Sequence, residues 1–180
     1  MSKPKHIIIV GAGASGVFLA YELTKRNNKA SILMIEKGFP LQKRVCPIKL
    51  GKTETCIKCN PCQIMNGYGG AGTLSDGKYN ITTQFGGDLH AYVGMDEAMD
   101  LMLYVDQVLC DMGGAEAKLY STGNSELKRT ALQRNLHLLD AKVRHLGTDR
   151  NMRILERMYD FTKDAIDMQF NTRVAGVERD

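Results

Sequence analysis

The feature that most restricts the fold of this chain is the hexapeptide GAGASG at Gly11–Gly16, set between an apolar β-branched run and an apolar helical pattern. His6 to Val10 reads as a short buried strand of the kind that parallel sheets contain. In such a motif Gly11 permits a tight turn, Gly13 leaves the backbone open to a pyrophosphate, and Gly16 lets helix pack on strand. A helix follows to about Arg26, with Val17, Ala20 and Leu23 on one face, and Asn27-Asn28 closes it. Ser31 to Glu36 is a second apolar strand, so the chain opens as a β-α-β unit with the crossover length that parallel pairing requires. Glu36 lies 20 residues past Gly16, where a carboxylate accepts ribose hydroxyls of an adenine dinucleotide and repels a 2′-phosphate. The fold expected is α/β, a Rossmann-type dinucleotide-binding unit.

A second glycine cluster, GYGGAGTLSDGK at Gly67–Lys78, decides between FAD and NAD. Its backbone N–H groups and hydroxyls suit a second anionic stretch. FAD is the longer molecule and needs contacts beyond the first turn, whereas an NAD enzyme has no need of such a loop here. Asp76 and Lys78 follow the glycines, and Lys78 is placed to stabilise charge on reduced flavin, with a solvated turn as the alternative. His90 and His145 read as surface or structural residues, so no catalytic residue is assigned.

Beyond Glu36 the pattern changes. From Lys37 to Gly94 turn formers, glycines and cysteines dominate. Met95–Met112 then reads as a helix with Ala98, Met102, Val105, Leu109 and Met112 on one face, and Met95, Met99, Met102 and Met112 as core packing. Further helices are expected over Glu126–Asn135, with Ser125 as N-cap, and Asp149–Ile166, with Met152, Leu155, Tyr159 and Thr162 near one face. Leu136–Leu146 reads as extended, and Met168–Val177 as a final strand. At 180 residues the chain has room for one well-buried domain, taken here as 1–180 with a Cys/Gly-rich insertion at about 37–94.

Four cysteines fall in that insertion: Cys46, beside Pro47, and Cys56, Cys59 and Cys62 in CIKCNPC. Their spacing suits zinc or an iron–sulfur cluster. Reduced thiols in a mobile loop, or a regulatory disulfide, are open alternatives. Cys110 sits in an apolar helix and reads as core.

With 43% apolar and 24% charged residues, a net charge of +4, and no run of like charges, nothing suggests a nucleic-acid partner. No stretch reaches the roughly 20 apolar residues of a membrane span, and glycines interrupt the N-terminal apolar run, unlike an export signal. A cytoplasmic protein is expected. Its substrate or electron donor is a small molecule that the residues do not name.

GAGASG with Glu36, the Arg44-Val45-Cys46-Pro47 segment, CIKCNPC, GYGGAGTLSDGK and HLGTDR together resemble the uncharacterised FAD-dependent dehydrogenases, flavoproteins with a Rossmann-type FAD domain. The likeness runs through nearly all of the chain, and GGAGTLSDGK is its most specific block. It implies that Gly11, Gly13, Ala14, Ser15, Gly16, Glu36 and Lys37 lie along the ADP moiety of FAD. Gly70, Ala71, Gly72 and Thr73 would approach the pyrophosphate or flavin, and the backbone of Val174 the adenine. Members of that family are longer and add a later Gly-Asp segment and a substrate domain. The resemblance therefore implies the N-terminal portion of an FAD-dependent oxidoreductase, incomplete relative to full-length flavoproteins. A dinucleotide-binding fragment without catalysis, or an NAD-binding enzyme, is the alternative.

Overall fold

The computed structural model describes residues 6–178. The chain forms two compact units, one of residues 1–75 with 155–180 and one of residues 76–154. Of the stretch from about 37 to 94, the part through Ser75 belongs to the first unit and the part from Asp76 to the second.

In the first unit, β1 (Ile7–Val10) leads through the glycine turn into α1 (Ala14–Lys25) and on to β2 (Ile32–Ile35). β1 and β2 pair in parallel with Ile7 opposite Ile32 and Val10 opposite Ile35. The third strand of this sheet comes from the other end of the chain. It pairs in parallel with β2, giving the order β1-β2-β6 for a strand spanning Asp167–Gln169. Ile9, Ile32 and Met34 point to the buried side, and Val17, Ala20, Tyr21, Met158, Thr162 and Ile166 add to that core. Alternation across the pleat leaves the other face bare, with Ile8 at 56% and Val10 at 60% exposure. β1 is therefore buried on one face only, where the sequence suggested burial on both.

The final strand is shorter than Met168–Val177. It stops at Gln169 because Asn171 takes a positive φ of 53°, which turns the chain back over the end of β2. There Asn171 N–H donates to Gly38 O at 2.8 Å and Thr172 N–H to Glu36 O at 3.0 Å. The stretch between β2 and Ser75 contains only short 3₁₀ turns, at Leu41–Lys43 and Gly70–Leu74.

The second unit holds β3 (Lys78–Ile81), α2 (Leu89–Val93), α3 (Met95–Leu109), β4 (Leu119–Ser121), α4 (Ser125–Leu132) and β5 (Lys142–His145). Its sheet is antiparallel in the order β3-β5-β4. β3 and β4 had no counterpart in the sequence reading, and β5 occupies the end of the segment read as extended. A widened turn, Cys110–Gly114, closes α3, and Gly113 adopts φ +106° within it. Cys110 lies half-buried in that turn, where burial pushes its thiol pKa up. α4 is capped by Asn124, whose side chain accepts from Leu127 N–H at 3.0 Å, and Ser125 is its first residue. α5 (Thr148–Thr162) passes from the second unit into the first at Leu155. Its buried positions are Ile154, Met158 and Thr162: Thr162 lies on the expected face, while Ile154 and Met158 take the buried places expected of Leu155 and Tyr159.

On α3 the fully buried residues are Ala98, Asp106, Val108 and Leu109. Met95 is exposed, and Met99, Met102 and Met112 are half-buried rather than central to the core. Asp106 instead forms a buried ion pair with Arg144 of β5. Arg144 Nε donates to Oδ1 at 2.7 Å, Nη2 to Oδ2 at 2.9 Å, and Nη1 to the carbonyl of Ala117. The fork-to-carboxylate geometry is what makes burial of both charges tolerable.

Candidate functional site

The three glycines of the first turn meet different demands. Gly11 has φ +97°, a conformation glycine adopts without strain. A Cβ on Gly16 would lie 2.0 Å from Gly11 O, so helix and strand can approach only with glycine there. Gly13 meets neither requirement: its φ is −71°, and a Cβ there would touch nothing within 4 Å. The space beside Gly13 is kept clear of protein atoms. It lies at the N-cap of α1, which has no side-chain cap. The first N–H groups of a helix lack intrahelical acceptors, and the helix dipole adds positive potential. Ala14 and Ser15, the first two helical residues, are exposed at this point. Such an arrangement accepts a phosphate.

The second glycine cluster packs directly on the first turn. Gly69 N–H donates to Ala12 O at 2.7 Å, and a Cβ on Gly70 would stand 3.1 Å from Gly13 Cα. Gly69 and Gly70 have φ of +82° and +66°, which brings the chain back over the turn. Thr73 does not face outward. It is fully buried, and its hydroxyl donates to Tyr68 O at 2.9 Å, which secures the 3₁₀ turn. Ala71 and Gly72 are exposed, and Gly70 is half-buried.

Glu36 joins these pieces. It is 6% exposed, and its carboxylate accepts three backbone N–H bonds: Ala12 at 2.8 Å, Gly38 at 2.7 Å and Gly67 at 3.0 Å. The residue read as a ribose acceptor is thus first a staple between the glycine turn, the end of β2 and the second glycine cluster. A carboxylate offers about four lone-pair sites, so one remains for a ligand hydroxyl. Arg44 is the companion that sequence reasoning missed. Also 6% exposed, it donates from Nε to Gln63 O at 3.1 Å, from Nη1 to Tyr68 O at 2.8 Å and from Nη2 to Ile64 O at 2.7 Å. Burial lowers its pKa, and the nearby Glu36 charge opposes that shift. The sequence marked it only as the first residue of the Arg44-Val45-Cys46-Pro47 segment, with no role attached.

A hollow of about 280 Å³ runs along the end of the sheet, lined by Val10, Gly11, Ile35, Glu36, Lys37, Thr172, Arg173 and Val174. Val174 reaches it through the turn at Asn171, not by extending the strand. Lys37 and Arg173 also border an adjoining polar hollow of about 390 Å³, with Asn60, Asn66 and Asn171. The two hollows share Lys37 and Arg173, and the first reaches Gly11 beside the uncapped helix end. Gly11, Gly13, Ala14, Ser15, Gly16, Glu36 and Lys37 are brought together here, and Gly70 touches the same turn.

Asp76 and Lys78 pair with each other at 3.0 Å on the surface, and Lys78 holds the Asp76 carboxyl below its usual pKa. They make a solvated turn in the second unit, as does His145, 4.0 Å from Asp76. The four loop cysteines are free thiols. Among the described residues no three His, Cys, Asp or Glu side chains converge closely enough to hold a single metal ion, so a tetrahedral zinc site is not formed.

Strand, glycine turn, helix and parallel second strand define a Rossmann-like dinucleotide-binding fold. The family of NAD(P)-binding Rossmann-like domains matches residues 9–39. Among solved structures the chain is similar to the L-amino acid deaminase of Proteus vulgaris, at 15% identity and a TM-score of 0.43. It is also similar to the L-amino acid deaminase of Proteus myxofaciens in complex with anthranilate, at 12% identity and a TM-score of 0.40. The chain is covered in full by both, and it spans 43% and 41% of their lengths. No curated protein matches. No helix among the described residues is long and apolar enough to cross a membrane.

Proposed function

We propose that this chain binds FAD, with the ADP half along Gly11–Gly16 and Glu36, as part of a flavoprotein oxidoreductase that exchanges hydride or electrons with a small-molecule partner. The observation that carries this reading is the seating of the second glycine cluster on the first turn, through Gly69 N–H to Ala12 O at 2.7 Å. A single glycine turn serves the pyrophosphate of any adenine dinucleotide. A second glycine-rich backbone fixed beside it, with Ala71 and Gly72 exposed, suits the further length of a flavin nucleotide.

The residues present fit that group. The open face at Gly13 and the uncapped helix end would receive the pyrophosphate, the fourth lone pair of Glu36 a ribose hydroxyl, and the hollow beside Val174 the adenine. Lys37 and Arg173, on the rim of that hollow, would offset phosphate charge. When bound, FAD supplies the hydride and electron chemistry, and the protein supplies position and electrostatics.

Calorimetric titration of the chain with FAD, ADP and NAD tests this directly. The expected order is FAD tightest, with ADP and NAD weaker because they engage only the first turn. NAD binding in preference to FAD, or no binding of any of the three, would overturn the assignment.

A further inference from the structure

The segment between Arg44 and Gly67 has no regular secondary structure, yet it is closely tied. Leu50 N–H donates to Cys46 O at 3.1 Å and Asn66 N–H to Cys62 O at 2.9 Å, while the Arg44 guanidinium gathers the carbonyls of Gln63, Ile64 and Tyr68. What this folding produces is a cavity of about 140 Å³ with Cys46, Cys56, Cys59 and Cys62 all in its wall. Four free thiols from a loop of this length share one cavity by convergence, since Cys46 is remote in sequence from the other three.

Three further observations bear on what fills it. The thiols surround a space and do not meet at a point, and no single-ion site is formed among the described residues. One ion with thiolates at about 2.3 Å would need them to meet. A cubane cluster, by contrast, spreads its four cysteine ligands over separate irons. Second, Thr53 Oγ1, in the wall of this cavity, is buried without a hydrogen-bond partner. Buried polar atoms left in this state mark a missing partner. A cluster sulfide or cysteine sulfur would accept from the Thr53 hydroxyl. Third, the stretch 37–66 carries six Lys or Arg and a single acid, Glu54. That balance suits a centre whose four thiolates leave it with net negative charge.

We propose that Cys46, Cys56, Cys59 and Cys62 hold a four-iron, four-sulfide cluster in the cavity they share. Cys56, Cys59 and Cys62 supply the C-x₂-C-x₂-C run, and Cys46, followed by Pro47, supplies the remote fourth ligand. The free energy of cluster binding also accounts for how a segment without regular structure holds a defined shape.

The test is anaerobic reconstitution of the full chain with ferrous iron and sulfide, followed by iron and acid-labile sulfide assays. Expected are about four of each per chain, with a broad visible absorbance that bleaches when dithionite donates an electron to the cluster. Cys59→Ser should lose most of the iron, and Cys110→Ser, in the second unit, should keep it. Should Cys59→Ser fail to fold, thiol mapping on the parent chain decides the matter. After loading, Cys46, Cys56, Cys59 and Cys62 should resist an alkylating reagent that labels them in the unloaded chain. Zinc bound at one per chain in place of iron, a disulfide among the four, or four thiols that alkylate freely after reconstitution would each overturn the proposal. The iron, sulfide and alkylation readouts do not depend on flavin, and the absorbance is read on chain freed of nucleotide.

Discussion

Gly13 separates a demand made by the protein from one made by a ligand, and replacing it with alanine reads the two apart. In the free chain a Cβ at this position meets nothing within 4 Å, and φ −71° with ψ −175° is allowed for any residue. Gly→Ala at a compatible backbone stabilises by about 0.4–1 kcal/mol through the unfolded chain. Loss of glycine's advantage over alanine at an N-cap opposes this by a similar amount. The two nearly cancel, so the melting temperature should stay within about 4 °C of the parent for a chain of this size. Binding should not survive as well. The added methyl occupies the space through which a phosphate approaches the first N–H groups of α1, and losing one charge-assisted hydrogen bond costs about 1.5–3 kcal/mol. ADP affinity should therefore fall by about 10- to 150-fold. The control is Gly16→Ala, where the Cβ would sit 2.0 Å from Gly11 O and the fold itself must give way. Calorimetry with ADP and a thermal melt on both variants complete the assay; ADP is used because the glycine turn reads only that half of any dinucleotide. If Gly13→Ala binds ADP within about twofold of the parent, the open face at Gly13 is not where the anion sits.

Glu36→Gln, tested without nucleotide, should lower the unfolding midpoint: an amide sets a donor against one of three N–H groups now bound to the carboxylate, leaving a buried donor unpaired at about 1–3 kcal/mol. A midpoint unchanged within about 2 °C would show that the carboxylate is not a staple. In the second unit, Asp106→Ala should cost about 3–5 kcal/mol in urea unfolding by stranding the Arg144 guanidinium, and Arg144→Met in the same chain should restore much of it. A double variant as unstable as the single one would place the loss in packing around Asp106 rather than in the unpaired charge.

The β-α-β opening was legible because its constraints are local. A turn, a close approach and a helix start are each fixed by residues a few positions apart, and Gly11, Gly16 and β1 through β2 stand where the sequence put them. The antiparallel sheet of the second unit was not legible. Its strands are three or four residues long, and β3 meets β5 across more than 60 residues of chain, so no periodicity builds up. The Asp106–Arg144 pair escaped for a related reason: a charge at one position of an amphipathic helix reads as solvent-facing unless its partner is known.

The candidate site shows a subtler gap, because its acidic residue was found and its main employment was not. Glu36 stood out by its distance from Gly16, which is a pattern of side chains, whereas its three partners are backbone N–H groups that any residue but proline supplies. The same holds for Arg44, all of whose hydrogen bonds end on carbonyls. Sequence patterns report side chains that pair with side chains or face a common core, and they are silent on charged groups spent on the main chain. That silence matters here, since these two buried charges fix the second glycine cluster against the first. Gly67 carries the point: a Cβ there would meet Phe39 O at 2.5 Å and Arg44 Cδ at 2.7 Å, while its N–H reaches Glu36. A glycine placed to admit the anion of one buried residue and the stem of the other's cation counts toward assembly of the site. Of the glycines in the two clusters, Gly13 is therefore the better guide to the ligand, being held by neither backbone conformation nor a neighbouring atom.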